Sequence, residues 1–202
     1  MKERGIIFNA VMVRAILDGR KTQTRRIMKP QPKLSENGGT WWPSNICQSM
    51  INIEEMMQDN EGIWAGIAGI ACPHGGVGDR LYVRETFKDG VCTESTIAYK
   101  ATHKPSDLEE GWYEEIKWTP SIHMPRRYSR ITLEITDVRV ERLKDAGDTE
   151  FKAEGYPLER ELTGGSMDPF CWFRNLWDSV SPTNFKYEDN PWVWVIEFKK
   201  VE

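Results

Sequence analysis

The sequence predicts an α+β fold: a small mixed β-barrel with short peripheral helices and an insertion after the first helix. Three observations carry this. Strand-like alternation recurs in short, separated runs, clearest over residues 81–87, 129–142 and 192–199. Helical periodicity is confined to brief stretches punctuated by turn residues. The chain has 202 residues, 39% hydrophobic and 29% charged, which suits one globular domain over 1–202 with an insertion at about 30–76.

The elements follow in order. Val13, Ile16 and Leu17 form one apolar stripe behind Asn9, a good N-cap, so residues 9–18 read as a helix. Gly19 follows where a helix end needs a residue tolerant of positive φ. The insertion is broken by Pro30, Pro32, Gly38, Gly39 and Pro43 and carries Trp41 and Trp42. Within it, residues 53–58 read as a helical turn and 60–72 as a strand pair. After the turn Gly78-Asp79-Arg80, parity places Leu81, Val83, Glu85 and Phe87 on one face, with Tyr82, Arg84 and Thr86 on the other. Glu85 therefore points inward with apolar neighbours. Residues 96–100 continue the sheet. In the strand at 129–142 the apolar positions change parity near Asp137, which predicts a bulge. A short helix over 148–154 ends at Gly155. Asp168 as N-cap with Pro169 at the first position opens a longer one. Trp192 to Lys199 is the closing strand.

Composition excludes several classes. A net charge of −4 argues against coating of long duplexes by bulk electrostatics. No apolar run approaches the ~20 residues of a membrane helix, and the N-terminus lacks the apolar run of a signal peptide. Four scattered cysteines (47, 72, 92 and 171) form no secreted disulfide framework, so a reducing cytoplasm is expected. Cys72-Pro73-His74, with Cys47, Cys92, His103 and His123, matches no common zinc spacing; no metal and no cofactor are expected.

The strongest local pattern is Gly19-x-Lys21-x-x-Thr24-x-Arg26. With Gly78-Asp79-Arg80-Leu81-Tyr82-Val83-Arg84-Glu85 and the aromatic last strand, it resembles the signature of ASCH domains, whose fold is similar to the PUA barrel. The resemblance runs from Ile6 to Lys199. The segment Trp118-x-Pro120-Ser121-x-His123-Met124-Pro125-Arg126 is similar to larger ASCH proteins of phages and prophages. The resemblance implies nucleoside or RNA-base binding. It also implies an amidohydrolase that removes an acyl group from N4-acylated cytidine. In that activity Lys21 would deprotonate Thr24, Thr24 would attack the amide carbonyl, and Glu85 would relay a proton to the leaving amine. The chemistry is coherent, because a threonine hydroxyl needs a base beside it and a lysine serves only where desolvation or nearby cations depress its pKa.

The purely structural alternative is a buried Lys21–Glu85 ion pair with Thr24 bonding the backbone. Gly19, Arg25, Arg26, Tyr82, Arg84, Trp118, Ser121, His123 and Arg126 are the expected substrate or nucleic-acid contacts. Arginines suit phosphates, and aromatic faces suit an unpaired base. The expected partner is a nucleoside or single-stranded RNA. A non-catalytic RNA-binding module, a ribonuclease using His123 and Lys21, and an accessory protein that binds a host protein remain open.

Overall fold

The computed structural model describes residues 1–36, 38–57, 66–91, 96–107 and 115–201. The chain opens with β1 (Glu3–Ile7) and α1 (Ala10–Leu17) and returns through β2 (Gln23–Ile27). The insertion then supplies β3 (Lys33–Leu34), β4 (Thr40–Ser44), β5 (Ser49–Asn52), α2 (Ile53–Met57) and α3 (Ile67–Ala71). Next come β6 (Arg80–Arg84) and the antiparallel pair β7 (Phe87–Asp89) and β8 (Ile97–Tyr99). The last part holds the long β9 (Thr132–Arg142), then α4 (Asp148–Ala153), α5 (Leu158–Thr163), α6 (Asp168–Val180) and β10 (Trp192–Lys200).

The frame is a mixed five-stranded sheet in the order β1-β6-β9-β10-β2, with β1 parallel to β6 and the other pairs antiparallel. The sequence predicts a small mixed β-barrel; the described ladders leave β1 and β2 as two edges, so no closed barrel forms among the described residues. Where a closing ladder would run, the Arg26 guanidinium donates to the Ile7 carbonyl at 2.8 Å. A side chain stands where main chain was expected.

β10 explains the two-layered packing. Its even positions, Trp192, Trp194, Ile196 and Phe198, are buried against Ile6, Phe8, Val13 and Ile16. Its odd positions Val193 and Val195 are buried under Phe151 of α4 and Phe173 and Trp177 of α6. A strand covered on both faces reads as a continuous apolar run. The insertion belongs to the first layer: Trp42 meets Trp194 edge-on at 5.3 Å, and Ile53, Met56, Ala68 and Ala71 are buried in the same cluster. Each such large apolar side chain stabilises by about 1.5–3 kcal/mol.

Several local expectations hold. Asn9 Oδ1 accepts from Met12 N, and Gly19 has φ +75°. The bulge near Asp137 is present, where Glu197 pairs Asp137 but Phe198 pairs Ile135. Two expectations are corrected. Within residues 60–72, those at 60–65 lie outside the described residues, and the rest form helix α3, not a strand. Ala68, Ala71 and Cys72 are all buried, a helical spacing that the short apolar run conceals. Asp168 lies inside α6 and Met167 caps it. The Asp168 carboxylate instead accepts from the Tyr156 hydroxyl and Arg160, contacts that hold its pKa below the usual carboxylate range.

Candidate functional site

The site is built where α1 ends. Gly19 N–H donates to the Ile16 carbonyl, and the Arg20 and Lys21 N–H groups both donate to Ala15. This left-handed closure turns the chain sharply, and Lys21 enters an isolated bridge with Glu154, just past α4. Gly155 makes the approach possible. A Cβ there would sit 2.8 Å from that of Ala15 and 3.2 Å from that of Lys21, at φ +103°. Arg20 fastens the same joint by donating to the Gly155 carbonyl at 2.7 Å.

Lys21 is wholly buried. Its Nζ donates to Glu154 Oε2 at 2.6 Å and to the Glu154 carbonyl at 3.0 Å. Burial pulls its pKa below the ordinary lysine range, and the Glu154 carboxylate opposes that pull. Glu154 also accepts from Arg25 at 3.4 Å, and Arg25 reaches Glu141 at 3.1 Å. Arg139 donates to Glu141 and Glu197, so the helix-covered face of β2, β10 and β9 carries a charge network beside Val193 and Val195.

β2 sends its alternate side chains the other way. Thr24, buried opposite Ile196, shares its face with Arg26 opposite Trp194. The Phe8 ring draws these groups together: Lys21 Nζ lies 5.7 Å and Arg26 Cζ 5.1 Å from its centroid. Phe8 N–H donates to the Arg84 carbonyl, so this ring stands between β2 and the strand end carrying Glu85.

Glu85 is buried, as parity predicts, but its partner is Arg130. Arg130 Nε and Nη2 hold the two carboxylate oxygens at 2.9 and 3.0 Å, while the guanidinium lies 4.0 Å from the Tyr99 ring centroid. The expected Lys21–Glu85 pair is therefore corrected. Lys21 pairs with Glu154, and its described hydrogen bonds include neither Thr24 nor Glu85. Glu154 follows a helix rather than a strand, which is why no parity argument finds it. Its one sequence signal is the adjoining Gly155.

Most of the other expected contacts form a second group on the outer face of β6. Arg126 grips Glu3 with two bonds and lies 5.3 Å from the Tyr82 ring centroid. Arg84 donates to the Ile122 carbonyl. Ser121 and His123 occupy the short 3-10 turn beside it, His123 exposed. Trp118 meets His103 edge-on at 5.5 Å. Tyr82, Arg84, Ser121, His123 and Arg126 are gathered around β6, Trp118 stands apart with His103, and Gly19, Arg25 and Arg26 belong with Lys21.

Among the described residues no cluster of His, Cys, Asp or Glu is arranged to hold a metal, and Cys92 lies outside them. Burial pushes the Cys72 thiol up to about 11 and His74 down to about 4. No described helix is long and apolar enough to cross a membrane.

No protein-family model and no curated protein matches the chain. Among solved structures it is similar to the crystal structure of an ASCH domain from Lactobacillus crispatus JV V101. That match has a TM-score of 0.38 and 11% identity, over 99% of this chain and 80% of the other, so the site residues are read from this chain alone.

Proposed function

We propose that this chain is an ASCH-type domain that binds a nucleoside or RNA base and hydrolyses the amide of an N4-acylated cytidine. One observation supports it above all: a fully buried lysine, its pKa lowered by desolvation and its amine on a carboxylate at 2.6 Å, three residues before a buried threonine. Desolvation makes the buried amine easier to deprotonate than a solvated lysine, the direction a general base needs. Lys21 takes the Thr24 hydroxyl proton, and Thr24 Oγ1 attacks the acyl carbonyl. The tetrahedral intermediate collapses as the exocyclic amine takes the proton and leaves. Water then attacks the acyl-threonine ester, Lys21 takes its proton and passes it to Thr24 Oγ1 as the carboxylic acid leaves, and both groups return to their starting state. Glu154, in contact with Lys21, is better placed for the proton relay than Glu85, which Arg130 holds at both oxygens. The part-exposed Arg26 guanidinium, seated over the buried Phe8 ring, offers a flat face for the base.

The test is N4-acetylcytidine hydrolysis by the parent chain and by Lys21→Met and Thr24→Val. Each variant is expected to lose on the order of 10²-fold or more in rate. The fold is expected to survive Lys21→Met, because Glu154 keeps Arg25. Full activity in Thr24→Val would rule out the covalent route. RNA binding without hydrolysis in the parent would leave a binding module.

A further inference from the structure

A cavity of about 530 Å³ beside Trp41 is apolar with nothing to indicate its occupant, and one of about 650 Å³ by Arg4 and Asp79 carries charges of both signs. A third, of about 640 Å³, carries one dominant sign and is walled by segments that run on toward the site already described. It lies between α1 and the segment after β8, lined by Arg14, Asp18, Lys100, His103 and Lys104.

Its walls lead directly out of the segments that carry Lys21 and Glu85. One wall is the last turn of α1, including Leu17 and Asp18; Lys21 follows Asp18 by three residues, within about 11 Å by chain reach. The other wall begins at Lys100, whose N–H donates to the Thr86 carbonyl, next to Glu85. Arg14 closes the floor by donating to the Ala101 carbonyl at 2.8 Å.

The charges are not balanced. Asp18 is met by Arg20 at 2.9 Å, and Asp107 is met by His103 and by the Lys104 N–H. Arg14, Lys100 and Lys104 have no carboxylate partner among the described residues. On a chain of net charge −4, three unpaired cations around one groove mark a local anion site.

From this geometry we infer that the groove binds the sugar-phosphate backbone of single-stranded RNA, so the base at the Lys21 site arrives within a polynucleotide, not as a free nucleoside. This rests on the nucleobase reading above for the site itself, but not on hydrolysis. Three cations tracking three phosphates give a salt dependence of slope about −2 in log K against log [salt]. The exposed Thr102 hydroxyl is placed to meet a ribose or phosphate oxygen.

The experiment is fluorescence anisotropy of a labelled ten-nucleotide single-stranded RNA with the intact chain and with K100Q/K104Q. Both lysines are exposed, so the double variant is expected to fold, which circular dichroism verifies. The expected result is binding about tenfold weaker at low salt, with the slope flatter by about 1.4. N4-acetylcytidine turnover by the same variant stays within twofold. Unchanged affinity and slope would overturn the groove assignment. So would labelled poly-glutamate that binds equally well and is lost with the same lysines, because the site would then be a general anion surface. Lysine-dependent RNA binding without nucleoside hydrolysis leaves the groove standing and removes the hydrolase. Nucleoside hydrolysis without RNA binding does the reverse.

Discussion

Lys21 and Glu85 were both visible in the sequence as ionisable residues out of place, but their partners were not. Strand parity shows that Glu85 turns inward; it carries no information on which cation meets it, since Arg130 lies 45 residues away. Glu154 is further still, 133 residues from Lys21. This difference sets a residue-scale prediction. In Glu154→Gln the buried Lys21 loses its only carboxylate among the described residues, and breaking such a pair costs about 3–5 kcal/mol. In Glu85→Gln the partner Arg130 is part-exposed and regains water, so the cost is smaller. Urea denaturation is expected to rank Glu154→Gln below Glu85→Gln. Hydrolysis is expected to collapse in the first and stay within a few-fold in the second. The reverse ranking in rate would restore Glu85 to the relay.

Among the elements, legibility tracked locality. The cap at Asn9, the positive φ at Gly19, the parity of β6 and the bulge in β9 each depend on a few neighbouring residues, and all are present. The insertion was legible only as broken sequence. Its short strands pair with one another, and its five-residue helices pack on β9, α2 burying Ile53 and Met56 and α3 burying Ala68 and Ala71, too few positions to leave a periodic stripe. Two glycines beside the site separate strain from packing. Gly19 has open space where a Cβ would stand, so Gly19→Ala suffers only from its left-handed backbone, about 1–2 kcal/mol. Gly155→Ala adds a clash with Ala15 and Lys21 to the same backbone cost. It is therefore expected to be the more destabilising of the two in thermal melts and to displace the Lys21 amine. Equal melting points would mean that the α1–α4 joint has slack.

At the scale of the whole molecule, titration reports on the packing of the insertion against the frame. His74 is held neutral to about 4 by burial, with Arg26 and Arg4 adding to the effect, against an ordinary value of 6.5. The unfolded chain then binds more protons between those values. Stability is full above about 6.5 and falls as pH drops toward 4. Asp79 behaves differently. Its carboxylate accepts from the Lys2 N–H at 2.6 Å and sits below its ordinary range, so its contribution is lost only below about 4. Urea midpoints at pH 7.5 and 5 are expected to differ in the parent chain and to converge in His74→Gln. An unchanged difference in the variant would assign the loss to other groups.

The Arg26 bond to Ile7 has a consequence for how the chain keeps to itself in a crowded solution. An unpaired strand edge is a template on which another molecule can add a strand. This sheet has two, and the guanidinium between them turns each toward the other, with the Phe8 ring beneath. The residue proposed to offer a flat cation to a base is thus also a guard against self-association. A neutral residue at position 26 would release two hydrogen-bonding borders at once.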